Sequence, residues 1–358
     1  MSRSEVEPRR HQRRIESLAP VTPDELHKLV RWLLGLRMPR GEAGGDPRFQ
    51  RPFDYLLHTF FEGGQCVEGL RVLRGLPANG EAQPEAESSL GISLPQAEGT
   101  GDCVVWANRG GGKTMLGAVA TLLDLLFKPG VQVRILGGSL EQSARMYRYL
   151  RELIDRPALR PMLAGVPTQR RLRLINGSEV EVLSQSQRSV RGVRVHKLRC
   201  DEVEEFDPEV WAAAQLVTHS GPCGPVAVRG SVEALSTMHR PFGLMNELTA
   251  GVGEGEGPSV HRRVFRWSVM QVIERCPPQR DCATCPLWDD CGGSAKEASG
   301  FVRIDDAIAQ RERCSDDAWA SEMLCVRPRR SDCVYANFDP GRHVLDPEAA
   351  GWDPWSGQ

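Results

Sequence analysis

Lysine is nearly missing from this chain. Of the 45 basic residues only five are Lys, so the place of each one is informative. No apolar run reaches 18 residues, which excludes a membrane-spanning helix. The opening segment MSRSEVEPRRHQRR has no apolar stretch behind its charges, so no secretory signal is expected. Neither sign of charge is in excess: 45 Lys+Arg face 47 Asp+Glu, a net charge of -2. That excludes a uniformly basic nucleic-acid binder and leaves room for a local basic groove. No internal repeat is visible. With 40% hydrophobic and 26% charged residues over 358 positions, the chain has ordinary globular composition. Its length suits one large domain or two modest ones. The eleven cysteines are odd in number and unevenly spread, in a chain read as intracellular. This favours reduced thiols and a metal site over a disulfide framework.

Patterning divides the chain. Residues up to about Arg13 read as a flexible arm. Thr22-Pro23-Asp24-Glu25 is a capping box with proline at the first helical position, and Leu26, Leu29, Val30, Leu33 and Leu34 form one apolar stripe behind it. A connector spans 40–52, and the aromatic run 53–61 predicts a helix. Segment 77–101 has no Lys or Arg and little apolar bulk, as a solvated loop would. The pattern then changes to strands alternating with helices: strand 103–107, helix 114–127, strand 131–136, helix 140–154 and strands 195–200 and 228–235. A hairpin over 171–184 turns at Asn176-Gly177. Such alternation predicts an α/β fold whose mostly parallel sheet is covered on both faces. A Gly-rich hinge follows at 251–257. The expected units are an arm and helix at 1–52, an α/β domain at 53–260, a Cys-rich lobe at 261–335 and a tail at 336–358.

The most specific signal is Ala107-Asn108-Arg109-Gly110-Gly111-Gly112-Lys113-Thr114, between a strand and a helix. Polyphosphate needs several backbone N–H groups converging on it, and glycines let the chain come close. Lys113 brings a point charge to the terminal phosphates, and Thr114 a hydroxyl for Mg²⁺. The first glycine of the standard pattern is Ala107 here, so the loop is a variant. Hydrolysis needs carboxylates as well. Asp201-Glu202 ends a strand, where ligands of parallel sheets bind. Asp201 would hold Mg²⁺ through water and Glu202 would polarise the attacking water. Lys197 and Arg199 interrupt that strand. Arg109 can reach the γ-phosphate and stabilise charge in the transition state. Ser236 and Thr237, after the next strand, can sense the γ-phosphate or Glu202; a plain helix cap is the alternative.

Cys276, Cys282, Cys285 and Cys291 have C-x5-C-x2-C-x5-C spacing, which suits Zn²⁺ or an iron–sulfur cluster in a structural role. Basic residues for backbone phosphates fall in three patches: Arg188, Arg191 and Arg194; Arg170, Arg171 and Arg173; and His261, Arg262, Arg263 and Arg266.

Taken together these residues resemble the ATPase domain of the large terminase subunit, the DNA-packaging motor of tailed phages. The resemblance rests on the loop 108–114, on Ser189 to Arg194, on Arg199-Cys200-Asp201-Glu202-Val203-Glu204-Glu205-Phe206 and on Leu235-Ser236-Thr237. It covers about residues 50–250, with a weaker likeness to about 340. It implies a P-loop NTPase of the additional-strand, catalytic-glutamate type. The implied activity is ATP hydrolysis with Mg²⁺, coupled to translocation of double-stranded DNA into a capsid. Also implied are a homo-oligomeric ring on a portal protein, a small terminase subunit and a site of action in the host cytoplasm. The family contacts adenine near a segment like Pro52-Phe53-Asp54-Tyr55-Leu56. Its members usually carry a nuclease domain after the ATPase. Only twenty residues follow Phe338, so Asp339, Asp346 and Asp353 are not expected to form one. Two other readings stand beside this: a helicase-like ATPase, and a non-catalytic remnant that binds ATP or a partner.

Overall fold

The computed structural model describes residues 3–39, 48–62, 64–77, 101–184, 186–250 and 262–328. Most of the loop expected over 77–101, the hinge at 251–257, His261, Cys333 and the tail at 336–358 with its three aspartates lie outside them.

Among the described residues four helices precede the sheet: α1 (Arg3–Glu16), α2 (Pro23–Leu34), α3 (Pro52–Phe61) and α4 (Gly64–Arg74). The expected flexible arm is the helix α1. Burial of Ile15 and a hydrogen bond between the His11 ring and the Ala158 carbonyl hold it, and neither partner surface is visible from the arm's own sequence. At the start of α2 the Thr22 Oγ1 accepts from Glu25 N at 3.2 Å, as an N-cap does, while the Glu25 carboxylate accepts from Val21 N at 2.8 Å, one residue before the N–H that a capping box uses.

The strands are β1 (Cys103–Ala107), β2 (Gln132–Gly137), β3 (Arg171–Arg173), β4 (Glu179–Val182), β5 (Lys197–Asp201), β6 (Gly221–Cys223), β7 (Val226–Val228), β8 (Ser231–Ser236) and β9 (Arg263–Trp267). Seven of them form one sheet in the order β3-β4-β2-β5-β8-β1-β9, parallel except for the β3–β4 hairpin. β6 and β7 pair separately. Helices α5 (Lys113–Phe127) and α6 (Leu140–Ile154) follow β1 and β2. One strand, β8, stands between β1 and β5, which is the additional-strand arrangement of P-loop NTPases. The α/β, mostly parallel fold expected from the strand–helix alternation is therefore the one observed.

Side chains alternate across the sheet. Val105, Ala107, Val133 and Ile135 meet α3, α5 and α6 on one face. Val104, Trp106, Leu136, Leu198, Cys200, Val232 and Ala234 fill the other. Lys197, Arg199 and Glu233 break the apolar run of the central strands, yet all are buried. Arg199 binds Glu233 at 3.0 Å and Asp124 at 2.6 Å, and Lys197 binds Glu62 at 2.9 Å. Lys128 pairs with Asp124 and Glu62. Tyr55 and Thr59 of α3 donate to Glu233, each at 2.7 Å. Three carboxylates and three cations thus tie α3 and α5 to β5 and β8. Beyond β9 a smaller apolar cluster of Val269, Ile273, Leu287, Ala295, Ile304, Trp319 and Met323 forms a lobe.

Candidate nucleotide-binding site

The turn between β1 and α5 takes its shape from its glycines. Gly110 and Gly112 have φ of 74° and 82°, a region costly for residues with a side chain. A Cβ on Gly111 would collide with the carboxamide and carbonyl of Asn108. Neighbours fasten the loop: Trp267 Nε1 donates to the Gly111 carbonyl at 2.9 Å and Arg109 N donates to the Glu322 carbonyl at 2.8 Å. Asn108 is buried, and its amide donates to the Arg109 carbonyl at 2.9 Å. It braces the loop from inside.

Strand order β5-β8-β1 brings three C-terminal ends together beside this loop. Lys113 Nζ lies 3.0 Å from Glu202 Oε1. Thr114 Oγ1 donates to Asp201 Oδ1 at 3.2 Å. Burial, reinforced by the charge of Glu202, pushes the Asp201 carboxyl up to about 7, against the pull of Lys113 and the Thr114 hydroxyl. Glu202 occupies left-handed backbone, φ 55° and ψ 53°, unusual for a residue with a side chain. Its amide donates to the Leu235 carbonyl at 2.7 Å, which holds the strained turn against β8. Ser236 Oγ donates to Glu202 Oε2 at 3.2 Å and accepts from Glu204 N at 3.3 Å. Glu205 then binds His239 at 3.0 Å and Arg240 at 3.1 Å. The acidic turn is thereby joined to the chain leaving β8.

A cavity of about 770 Å³ opens over these groups. Of the residues expected there, Arg109, Gly110, Gly112, Lys113, Thr114, Glu202 and Thr237 line it, while Asp201 and Ser236 lie buried just behind. The far wall, built by Ser139, Gln142, Arg145 and Tyr149, belongs to no motif visible in the sequence. Arg145 acts on Asp201 electrostatically. Ser139 caps α6, accepting from Gln142 N at 3.2 Å, and a cap beside the end of β2 was the signal available. Phe53, Tyr55 and Leu56, the expected adenine contacts, are buried in the core and do not line the cavity.

Other expectations fare differently. Arg171 and Arg173 bind Glu179 at 2.6 Å and 3.0 Å. Arg262 stacks on Trp211, Arg263 on Phe265, and Arg266 between Phe49 and Trp106. Their own fold engages them. Arg170, Arg191 and Arg194 are exposed, and the side chain of Arg188 lies outside the described residues. Cys276, Cys282, Cys285 and Cys291 do share one small cavity, where Ala295 N donates to Cys291 Sγ at 3.4 Å. Yet no three Cys, His, Asp or Glu side chains among the described residues gather closely enough to hold a metal ion. The expectation of zinc or an iron–sulfur cluster gains no support from this arrangement. No helix among the described residues is long and apolar enough to cross a membrane.

No family model matches the chain, and no curated protein does. Among the solved structures it is similar to are large terminases of phages. One is the large terminase ATPase domain of Thermus phage P74-26, at 16% identity and a TM-score of 0.40, with 63% of this chain and 88% of that one covered. Another is the large terminase of bacteriophage HK97, at 19% identity and a TM-score of 0.43; 59% of this chain matches, and it spans 43% of that protein.

Proposed function

We propose that the chain is an ATP-hydrolysing motor of the large terminase type, with its ATPase domain at 53–260. The observation that carries this is the 3.0 Å pairing of Lys113 with Glu202 across a cleft walled by the Gly110–Gly112 loop. At rest the two side chains neutralise each other. An incoming triphosphate supplies stronger negative charge, so Lys113 turns to its β- and γ-phosphates while the loop N–H groups close on them. Glu202 is then released to accept a proton from water as the water oxygen bonds to the γ-phosphorus and the bond to the ADP oxygen breaks. Arg109 neutralises charge developing on the γ-phosphoryl oxygens.

The Thr114 hydroxyl and Asp201 carboxylate are hard oxygen donors 3.2 Å apart, a pair that fits Mg²⁺. When bound, that ion would supply positive charge to offset the negative charge of the triphosphate. Asp201 and Thr114 would hold it. Ser236 and Thr237 sense whether Glu202 is engaged and pass this through Glu205, His239 and Arg240 to the chain after β8. In the proposed setting the motor moves double-stranded DNA into a capsid from the host cytoplasm. It acts as a homo-oligomeric ring on a portal protein with a small terminase subunit, and Arg191 and Arg194 are candidates for backbone phosphates.

The test is phosphate release with and without double-stranded DNA. Hydrolysis that DNA stimulates and that Lys113→Ala and Glu202→Gln abolish supports the proposal. Unchanged hydrolysis in both variants sinks it. Stimulation by single strands alone points to a helicase-like enzyme, and ATP binding with no turnover to a remnant.

A further inference from the structure

Phe301 is one of several exposed apolar side chains, and its place sets it apart. It belongs to the lobe beyond β9, it is an aromatic ring left 44% exposed, and it sits against the phosphate loop. Its Cζ, Cε2 and Cε1 atoms lie 3.0, 3.6 and 3.9 Å from where a Cβ on Gly112 would stand. The position is fixed by backbone. Phe301 N and Val302 N both donate to the Val272 carbonyl, at 2.7 and 2.8 Å, and Gly300 N donates to the Ile273 carbonyl at 2.8 Å. A Cβ on Gly300 would collide with those same carbonyls, so only glycine admits this close approach. A half-exposed ring fixed this close to the phosphate loop offers a flat apolar face within reach of a ligand bound there.

The direction of the bound triphosphate says which part reaches it. The sheet order is β5-β8-β1-β9 around the loop, with Glu202 after β5 and Phe301 in the chain that leaves β9. If the terminal phosphate faces Glu202, the nucleoside leaves on the opposite side of Lys113, toward β9 and the lobe. Glu322 of the same lobe lines the cavity, and Phe301 stands at its margin against Gly112 rather than in its lining. The aromatic residues of α3 are buried and unavailable to a base.

We infer that Phe301 is the platform on which the nucleotide base stacks, so that the lobe supplies the base end of the site. This rests on reading the loop as a triphosphate site. The experiment separates the two ideas by titrating the full chain with Mg-ATP and with Mg-tripolyphosphate, which has no base. Stacking predicts that Phe301→Ala weakens Mg-ATP about tenfold and shifts tripolyphosphate by less than about twofold, since base–aromatic stacking is lost only for the ligand that has a base. Phe301→Trp restores Mg-ATP affinity. Equal weakening of both ligands, with loss of melting temperature, would make Phe301 a support of the loop and overturn the inference. So would unchanged Mg-ATP affinity in Phe301→Ala. If the unmodified chain binds neither ligand, the triphosphate reading fails and the platform falls with it.

Discussion

Lys113 and Glu202 meet at 3.0 Å, and Ser236 holds the other oxygen of the same carboxylate at 3.2 Å. Any phosphate that enters must compete for Lys113 and tolerate Glu202 close by. Glu202→Gln removes both obstacles and also removes the proton acceptor. The variant is expected to bind ATP at least as tightly as the parent, while turnover falls by about 10² or more, the usual size of a lost general base. A fluorescent-nucleotide titration beside a phosphate-release assay reads both. Weaker binding with normal turnover would reverse the roles given to these two residues.

The elements that carry the site are joined beneath it by charge. Arg199 lies in the centre of β5, fully buried, with five hydrogen bonds to Glu233, Asp124, Thr121 and Thr59. Burial opposes its charge, yet Glu233 and Asp124 hold its pKa well above the ordinary value. A buried ion pair adds little over an apolar packing of the same shape, but breaking one is costly because a charge stays behind unpaired. Arg199→Met leaves Glu233 and Asp124 short of a cation and is expected to cost about 3–5 kcal/mol. Adding Glu233→Gln to it should recover part of that loss. Urea unfolding of the single and double variants measures both effects, and strictly additive losses would show that the charges are not coupled. Because α3, α5, β5 and β8 all meet in this cluster, Arg199→Met should also loosen the register between Lys113 and Glu202, seen as slower turnover below the melting transition.

Over the whole molecule, buried titratable groups give stability a pH dependence of mixed sign. Burial, helped by the nearby Arg263, lowers His58 to about 4 from 6.5. The unfolded chain therefore binds the extra proton first, and stability is lost as pH falls from about 6.5 toward 4, by about 3 kcal/mol at the end of that window. Asp201, raised to about 7, acts oppositely: its folded form holds the proton more tightly, so it gains stability over the same fall. In metal-free protein His58→Phe keeps only the second effect, and its stability relative to the parent should climb as pH drops from 6.5 to 4. Parallel curves from denaturant titration would mean that His58 is not neutral in the fold. The features legible beforehand were those written in neighbouring residues. The glycine loop, the Thr22 cap, the Asn176-Gly177 hairpin and the strand–helix alternation all depend on contacts within a turn or along one face. Other features depend on distant partners. Glu233, Asp124 and Thr59 stand 34, 75 and 140 positions from Arg199. In the sequence Lys197 and Arg199 therefore read as flaws in a strand, whereas in the fold they are its fastening. The helix α1, the wall of α6 and the ring of Phe301 were hidden for the same reason, and the four clustered cysteines turned out to share a cavity without forming a ligand shell. The amino-acid order determined the local geometry of the phosphate loop and the parallel sheet, because φ/ψ preference and hydrophobic period act over a few residues. Tertiary structure alone decided which carboxylate meets Lys113, which cations are buried and which aromatic ring stays open beside the loop, because pairing and burial arise only when distant segments pack.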